Sequence, residues 1–159
     1  MNMGDPIQVE INNQQTAMAA DLDRLVKLIR AVLEGEDVSS AIISVALVDD
    51  ATIHRLNRQY LGHDYATDVL SFPLQDDRGC LEGEIVISGE TAARMATEYH
   101  WSAGEELMLY TVHGCLHLVG YDDATEEQRA RMHRAEQAYL GRFGITARYD
   151  RNETEGTVK

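Results

Sequence analysis

Two histidines, His113 and His117, are the residues of this chain whose type and spacing most clearly suggest chemistry. They stand four positions apart in the run HGCLHLVGYDD. On an α-helix this spacing leaves two side chains about 40° apart around the axis and about 6 Å apart along it. Both imidazoles can therefore reach one metal ion, although such a pair can also be merely buried or exposed on a helix.

A glycine and an aspartate follow the two histidines. Gly120 can take the left-handed conformation that ends a helix and turns the chain back. Asp123 comes after this turn, where its carboxylate can approach the same ion. Two neutral imidazoles and one carboxylate suit zinc, and three protein ligands leave a position open for water or substrate. We predict one zinc ion per chain, bound by His113, His117 and Asp123.

The same spacing is found in the HExxHxxGxxH/D layout of metzincin peptidases. Those enzymes carry a glutamate directly after the first histidine as the general base, whereas this chain has Gly114. A zinc ion without that glutamate can still activate water or polarise a phosphoryl oxygen. The pattern therefore favours hydrolysis of a different ester over hydrolysis of a peptide bond.

Composition and charge limit the possible partners. The chain has 159 residues, 44% of them apolar, which suits one domain with a sizeable core. Its formal net charge of −13 disfavours non-specific attraction to nucleic acid or to an anionic membrane. An RNA substrate would need a locally positive surface built from the metal and nearby arginines. No apolar run approaches the roughly 20 residues of a membrane span. The start of the chain lacks the pattern of a secretory signal, which predicts a cytoplasmic protein.

Periodicity predicts an α+β fold, with a small mixed, mostly parallel β-sheet covered by helices. Strands are expected at residues 7–11, at 41–48 with both faces buried, and at 68–74 and 84–88 as an antiparallel pair. Helices are expected at 18–33, from a cap at Asp50 to near Gly62, at 91–99, from a capping box at Ser102 to about 119, and from a capping box at Thr125 to about 141. Residues 1–147 are expected to form a single metal-dependent hydrolase domain, and residues 148–159 a disordered polar tail.

The run from His113 to Asp123 resembles the signature of the YbeY family of metal-dependent endoribonucleases, bacterial rRNA maturation factors with the pattern H-G-x-L-H-L-x-G-Y-D-H. The resemblance extends over most of the chain. Its other matching positions are Leu56-Asn57, Tyr60, Gly62, Asp64, Thr67 to Pro73, Gly83 to Ser88, Met132 and Glu136.

This resemblance implies a zincin-like arrangement and a zinc-dependent, single-strand-specific endoribonuclease. The implied activity is the maturation of small-subunit (16S) ribosomal RNA and ribosome quality control. Single-stranded ribosomal RNA and the ribosome or its proteins are the implied partners, and neither DNA nor a membrane is expected. The alternatives are a non-catalytic ribosome-assembly factor with a structural metal and, less favoured, a zincin-type metallopeptidase.

Three positions depart from the family pattern. Asp123 replaces a third histidine, Leu61 replaces an arginine after Tyr60, and Ala66 replaces a proline. An arginine beside the metal would help to hold a phosphate. Arg58, as a substrate-binding residue, and His63, as a catalytic one, are the candidates to replace it, unless both simply lie on a solvated helix end.

Four further residues have expected roles. Asp122 is a candidate catalytic base beside the metal or a turn residue. Ser71 is a candidate substrate-binding residue, because its strand is expected to border the cleft and to hold an extended substrate. Cys115 should face away from the metal and pack in the core. Glu136 interrupts an apolar stripe, as either a buried structural group or a support for the metal site.

Overall fold

Five helices and four strands make up the residues that the computed structural model describes, 5–74 and 79–149. In chain order they are β1 (Ile7–Asn13), α1 (Leu22–Gly35), β2 (Ala41–Val48), α2 (Asp50–Leu61), β3 (Val69–Pro73), β4 (Leu81–Ser88), α3 (Gly89–Tyr99), α4 (Ala103–Leu118) and α5 (Glu126–Gly141). Within these described ranges, no helix is long and apolar enough to cross a membrane.

The strands form one sheet in the order β1-β2-β4-β3. The β1-β2 and β2-β4 pairs are parallel, and β3 runs antiparallel to β4 at the edge, with Ser71 opposite Ile85. The predicted α+β class, with a mostly parallel sheet and one antiparallel pair, is therefore confirmed. This order places β3 at the rim of the sheet, next to α4.

Helix α4 is the central element of the molecule. It packs against α1, α3, α5, β3 and β4, and most of its length is buried. A helix that is apolar on nearly all sides is typical of such a central position. Its side chains are thus held from several directions, and a site built on α4 has a rigid foundation.

Strand β2 corrects one prediction about burial. Ala41, Ile43 and Val45 are buried, but Ile42 is 44% exposed and Ser44 is also exposed. Both faces were expected to be buried, and this is wrong for the first half of the strand. Helices α1 and α4 cover one face of the sheet, whereas a small apolar cluster with α2 covers only the far end of the other face.

Side-chain caps determine where several helices begin. The Ser102 and Thr125 capping boxes are both present, as predicted. Helix α1 begins after Asp21, whose carboxylate accepts from Arg24 N, and so it starts later than expected. Helix α2 is capped by Asp49, not by Asp50 as predicted.

Asp50 does not cap α2, and its side chain instead accepts hydrogen bonds from residues at the start of α3 and within it. Its Oδ1 accepts hydrogen bonds from the hydroxyls of Ser88, at 2.5 Å, and Thr91, at 2.7 Å. Its Oδ2 accepts from Arg94 at 3.1 Å. The carboxylate therefore ties the start of α2 to the start of α3.

The end of the chain is partly anchored. Arg148 and Tyr149, the first residues of the predicted disordered tail, make side-chain hydrogen bonds to residues of other elements. The prediction is thus wrong for these two residues, because the Tyr149 ring stacks on His133 with centroids 3.9 Å apart. The rest of the predicted tail, residues 150–159, lies outside the described residues.

Candidate metal centre

Helix α4 brings His113 and His117 together as the spacing predicts. Their ring centroids are 4.7 Å apart, and their Nε2 atoms are separated by 3.1 Å. Both side chains are partly exposed, at 27% and 28%. The two nitrogens therefore point to a common position that solvent can reach.

The turn after α4 returns the third candidate ligand. Gly120 has a φ of 106°, a conformation that a side chain would strain, and its N–H donates to the His117 carbonyl. Oδ2 of Asp123 then lies 3.4 Å from each histidine Nε2. The three residues that the sequence identifies are thus assembled in one group that could hold a metal ion.

Hydrogen bonds determine which nitrogen of each histidine is free. His117 Nδ1 lies 3.0 Å from the carbonyl oxygen of Tyr121, which can only accept, so the proton is on Nδ1. His113 Nδ1 lies 2.6 Å from Oε2 of Glu136 and donates to this carboxylate. Nε2 is therefore the nitrogen of each ring that faces Asp123 and could bind a metal ion.

The separations between these atoms test whether zinc fits. A tetrahedral zinc ion with bonds of about 2.0–2.1 Å has ligand atoms about 3.3–3.4 Å from one another. The observed separations, one of 3.1 Å and two of 3.4 Å, match this geometry. A metal ion bound here would take the place of the proton that His113 shares with Asp123, since an imidazole must give up that proton to become a ligand.

The electric field at the site also favours positive charge. Burial lowers the pKa of His113, but hydrogen bonds to Asp123 and Glu136 and the charge of Glu136 outweigh it and raise that pKa to about 10. The hydrogen bond from His113 holds the pKa of Asp123 at about 2, against the effect of its burial. The surroundings that stabilise a proton on these groups suit a bound cation equally well.

Glu136 is a buried structural group and also supports a metal ligand, so it has both of the roles that the sequence suggests. It is 1% exposed, and each carboxylate oxygen has a partner. Oε2 accepts from His113, and Oε1 accepts from the Tyr149 hydroxyl at 2.7 Å. Sequence reasoning missed Tyr149, for which an aromatic residue inside a polar segment was the available signal.

Gly114 faces the sheet and not the metal position. A Cβ built on it would lie 2.8 Å from Ile85 Cγ2 and 3.0 Å from Val69 Cγ2. The Ser71 hydroxyl donates to the Gly114 carbonyl at 2.8 Å and so fastens β3 to α4. The position of the peptidase glutamate therefore has no room for a side chain, and Ser71 has a structural partner.

A cavity of about 580 Å³ opens beside the metal group. His113 and Asp123 line it, together with three arginines, Arg94, Arg129 and Arg148. Carboxylates line the same cavity, at Asp68, Glu106 and Glu136, so any positive charge on its wall is confined to the neighbourhood of the arginines.

Comparison with known proteins identifies the family. The sequence profile described as Endoribonuclease YbeY matches residues 10–144. This chain belongs to the YbeY family. Endoribonuclease YbeY of Pelotomaculum thermopropionicum is 41% identical over 149 residues, which cover 87% of this chain and 98% of the relative. Endoribonuclease YbeY of Rhodopirellula baltica is 50% identical over 117 residues, covering 72% of this chain and 59% of that relative.

A solved structure supports the same assignment. The solution structure of a Thermotoga maritima protein matches with a TM-score of 0.58 and 26% identity, and it covers 87% of this chain and 91% of that protein. The predicted membership of the YbeY family is confirmed by the sequence relatives, and the likeness in structure supports the predicted fold class.

Several residues that the sequence suggests for catalysis or substrate binding in this YbeY-family chain do not line the cavity. Arg58 and His63 are exposed at the end of α2, where His63 stacks on Tyr65 with centroids 5.4 Å apart. Leu61 is 49% exposed nearby. Asp122 is exposed beside the third ligand and is not among the lining residues. Functional roles for Arg58, His63, Asp122 and Ser71 stay predictions from the sequence.

Proposed function

We propose that this chain is a zinc-dependent, single-strand-specific endoribonuclease that acts in 16S ribosomal RNA maturation and ribosome quality control. The observation that carries the proposal is the convergence of two Nε2 atoms and one carboxylate oxygen beside an open cavity. Its relatives bear the name endoribonuclease, which implies RNA as the substrate.

The donor set supports zinc as the metal, with one ion per chain. Imidazole nitrogens suit zinc better than magnesium or calcium, which prefer oxygen ligands throughout. Zinc with three protein ligands supplies Lewis acidity toward a phosphoryl oxygen and an activated water as nucleophile. His113, His117 and Asp123 would hold it, and the open side would face the cavity.

The chain's own residues position the ligands and the substrate. Glu136 and the Tyr121 carbonyl fix the two imidazoles with Nε2 outward. The cavity volume lies in the range of pockets for small ligands, about 300–1,000 Å³. A single strand can bend and splay its bases, so part of its backbone can enter such a cavity, whereas the bases of a duplex stay stacked and paired.

The state of the cysteines supports action in the cytoplasm. Both cysteines, Cys80 and Cys115, are free, as is usual where thiols stay reduced. Cys115 is buried as predicted, and burial raises its pKa to about 12, which makes it an inert core residue. Ribosomal RNA and ribosomal proteins are the partners that fit this location.

The test compares three substrates under one set of conditions. Purified protein is incubated with single-stranded RNA, with duplex RNA and with an unfolded protein, each with zinc and with a chelator. We expect cleavage of the single strand alone, lost with chelator and restored by zinc. His117→Ala should abolish it, whereas His54→Ala, which changes a partly exposed histidine on α2 that is paired with Asp64 and not with the metal group, should not.

The other outcomes decide between the alternatives. Tight zinc binding without cleavage of any substrate would favour the non-catalytic assembly factor. Zinc-dependent cleavage of the unfolded protein would favour the metallopeptidase, against the crowded surroundings of Gly114.

A further inference from the structure

Three arginines line the cavity beside the metal group, and they differ in whether a carboxylate neutralises their charge. Arg94 is paired, because its Nη1 lies 3.1 Å from Oδ2 of Asp50. Arg129 and Arg148 donate to backbone carbonyls instead. Among the described residues, neither of these two makes an ion pair with a carboxylate.

Carbonyl partners hold an arginine in place without cancelling its charge. Arg129 Nη1 lies 3.3 Å from the Asp123 carbonyl oxygen and 3.4 Å from that of Ala124. Arg148 Nη1 lies 2.9 Å from the carbonyl oxygens of both Tyr99 and His100. A guanidinium has five N–H donors, so most of its donors stay available to another acceptor.

The two arginines are anchored to different parts of the cavity wall. Arg129 belongs to the first turn of α5 and holds the chain next to the ligand Asp123. Arg148 holds the C-terminal end of α3, next to Tyr149. Glu105 lies at the start of α4, where hydrogen bonds from Ser102 and, to a smaller extent, the charge of Arg148 lower its pKa.

We propose that Arg129 and Arg148 bind backbone phosphates of single-stranded RNA on the wall of the metal cavity. This inference rests on the proposed function and adds the residues that hold its substrate. A chain with a net charge of −13 repels a polyanion except where unpaired cations gather. Guanidinium forks match phosphate oxygens with two parallel hydrogen bonds, and such contacts act regardless of base sequence.

The experiment measures binding and not cleavage. A labelled single-stranded RNA is titrated with zinc-loaded protein between 0.05 and 0.3 M salt, about the range where counterion release is resolved, and a gel verifies that the strand stays intact. The variants are Arg129→Gln and Arg148→Gln. Arg131→Gln is the matched control, because Arg131 lies on the same helix, loses the same charge and does not line the cavity.

Loss of one phosphate contact has a calculable signature. Each contact to a single strand contributes a slope of about −0.7 to log K against log salt, so about fivefold in affinity at 0.1 M salt. We expect each glutamine variant to bind about fivefold more weakly with a correspondingly shallower slope, and Arg131→Gln to match the unaltered protein. Arg129→Lys and Arg148→Lys should restore the slope, because they restore the charge.

Several results would overturn the inference. Glutamine variants that bind with the slope of Arg131→Gln would show that the two arginines make no phosphate contact. A salt slope that lysine fails to restore would show that the carbonyl tethers matter and the charge does not. Equal zinc content in every variant ensures that the Asp123 turn is intact.

Failure of this inference can be told apart from failure of the proposed function. If the unaltered protein cleaves RNA but the glutamine variants bind like it, only the inference fails. If the unaltered protein binds RNA through these arginines without cleaving it, the proposed activity fails and the inference stands.

Discussion

Oε2 of Glu136, a residue that is 1% exposed, lies 2.6 Å from Nδ1 of His113. A buried carboxylate is costly unless both oxygens are paired. Here His113 occupies one oxygen and the Tyr149 hydroxyl the other. The burial of this charge makes physical sense as the means of fixing the orientation and proton position of a metal ligand.

Replacing Glu136 should therefore weaken zinc binding. Glu136→Gln keeps the size of the side chain but removes the charge that holds the Nδ1 proton of His113. Groups behind a metal ligand typically contribute about 10- to 100-fold to affinity, and we expect a loss in this range. Competition with a chromophoric chelator measures it. Unchanged affinity would show that Glu136 serves only the fold.

Tyr149 should act in the same direction through Glu136. Tyr149→Phe deletes the hydroxyl but keeps the ring that stacks on His133. We expect zinc affinity to fall by up to about tenfold, less than for Glu136→Gln, since the charge of the carboxylate remains. Tyr65→Phe, which removes a hydroxyl from an exposed tyrosine, is the control. If Tyr149→Phe and Tyr65→Phe bind zinc with equal affinity, the Tyr149 hydroxyl does not support the metal site.

The adjacent aspartates Asp122 and Asp123 provide a matched pair. Asp123→Asn should lower zinc affinity by more than about 100-fold, because losing a ligand costs more than losing a group behind one. Asp122→Asn should leave affinity unchanged, since Asp122 is not part of the ligand group. Zinc content after dialysis distinguishes them. Normal zinc with lost RNA cleavage in Asp122→Asn would support the predicted role of Asp122 as a base.

Two glycines of α4 test the contact between this helix and the sheet. Gly114→Ala places a methyl group against Ile85 and Val69, and overpacking of this kind costs about 1–3 kcal/mol. Gly104→Ala meets nothing closer than 3.9 Å and should gain up to about 1 kcal/mol from helix propensity. Urea unfolding measures both free energies. If Gly114→Ala is as stable as Gly104→Ala, the sheet shifts to accommodate the added methyl group at little cost in free energy.

The ligand group could be predicted from sequence because its geometry is local. A single helical turn relates His113 to His117, and one left-handed glycine returns Asp123, so backbone rules alone place all three. The capping boxes that start α4 and α5 are local for the same reason.

The contacts around the ligands are not local, and Glu136 could be suggested as a support only because it interrupts an apolar stripe. Glu136 lies 23 positions beyond His113, and Arg148 lies 49 positions beyond Tyr99. Only tertiary packing brings such residues together. The same limitation explains Arg58 and His63, which were chosen from their place in a sequence motif although the end of α2 does not line the cavity.

The carboxylate of Asp50 links the start of α2 to the start of α3. Burial raises the pKa of Asp50, but hydrogen bonds from Ser88, Thr91 and Arg94 outweigh it, so the pKa lies below its ordinary value of 3.8. A carboxyl group whose pKa is lower in the folded state stabilises the fold above its unfolded pKa. That contribution is lost as the pH falls through the folded pKa.

Asp50→Asn should accordingly destabilise the protein at pH 7 by about 1–2 kcal/mol, the low end for hydrogen bonds to a charged group, because the side chain is 27% exposed. The difference from the unaltered chain should shrink once the pH falls below about 4, where the unfolded carboxyl group is protonated as well. Asp122→Asn, which alters an exposed aspartate, should stay within about 0.5 kcal/mol throughout. Urea unfolding of the three proteins between pH 2.5 and 7, about the window of carboxyl titration, gives the comparison. A destabilisation by Asp50→Asn that does not change with pH would show that the shape of the hydrogen-bond network, and not the charge of Asp50, joins the two helices.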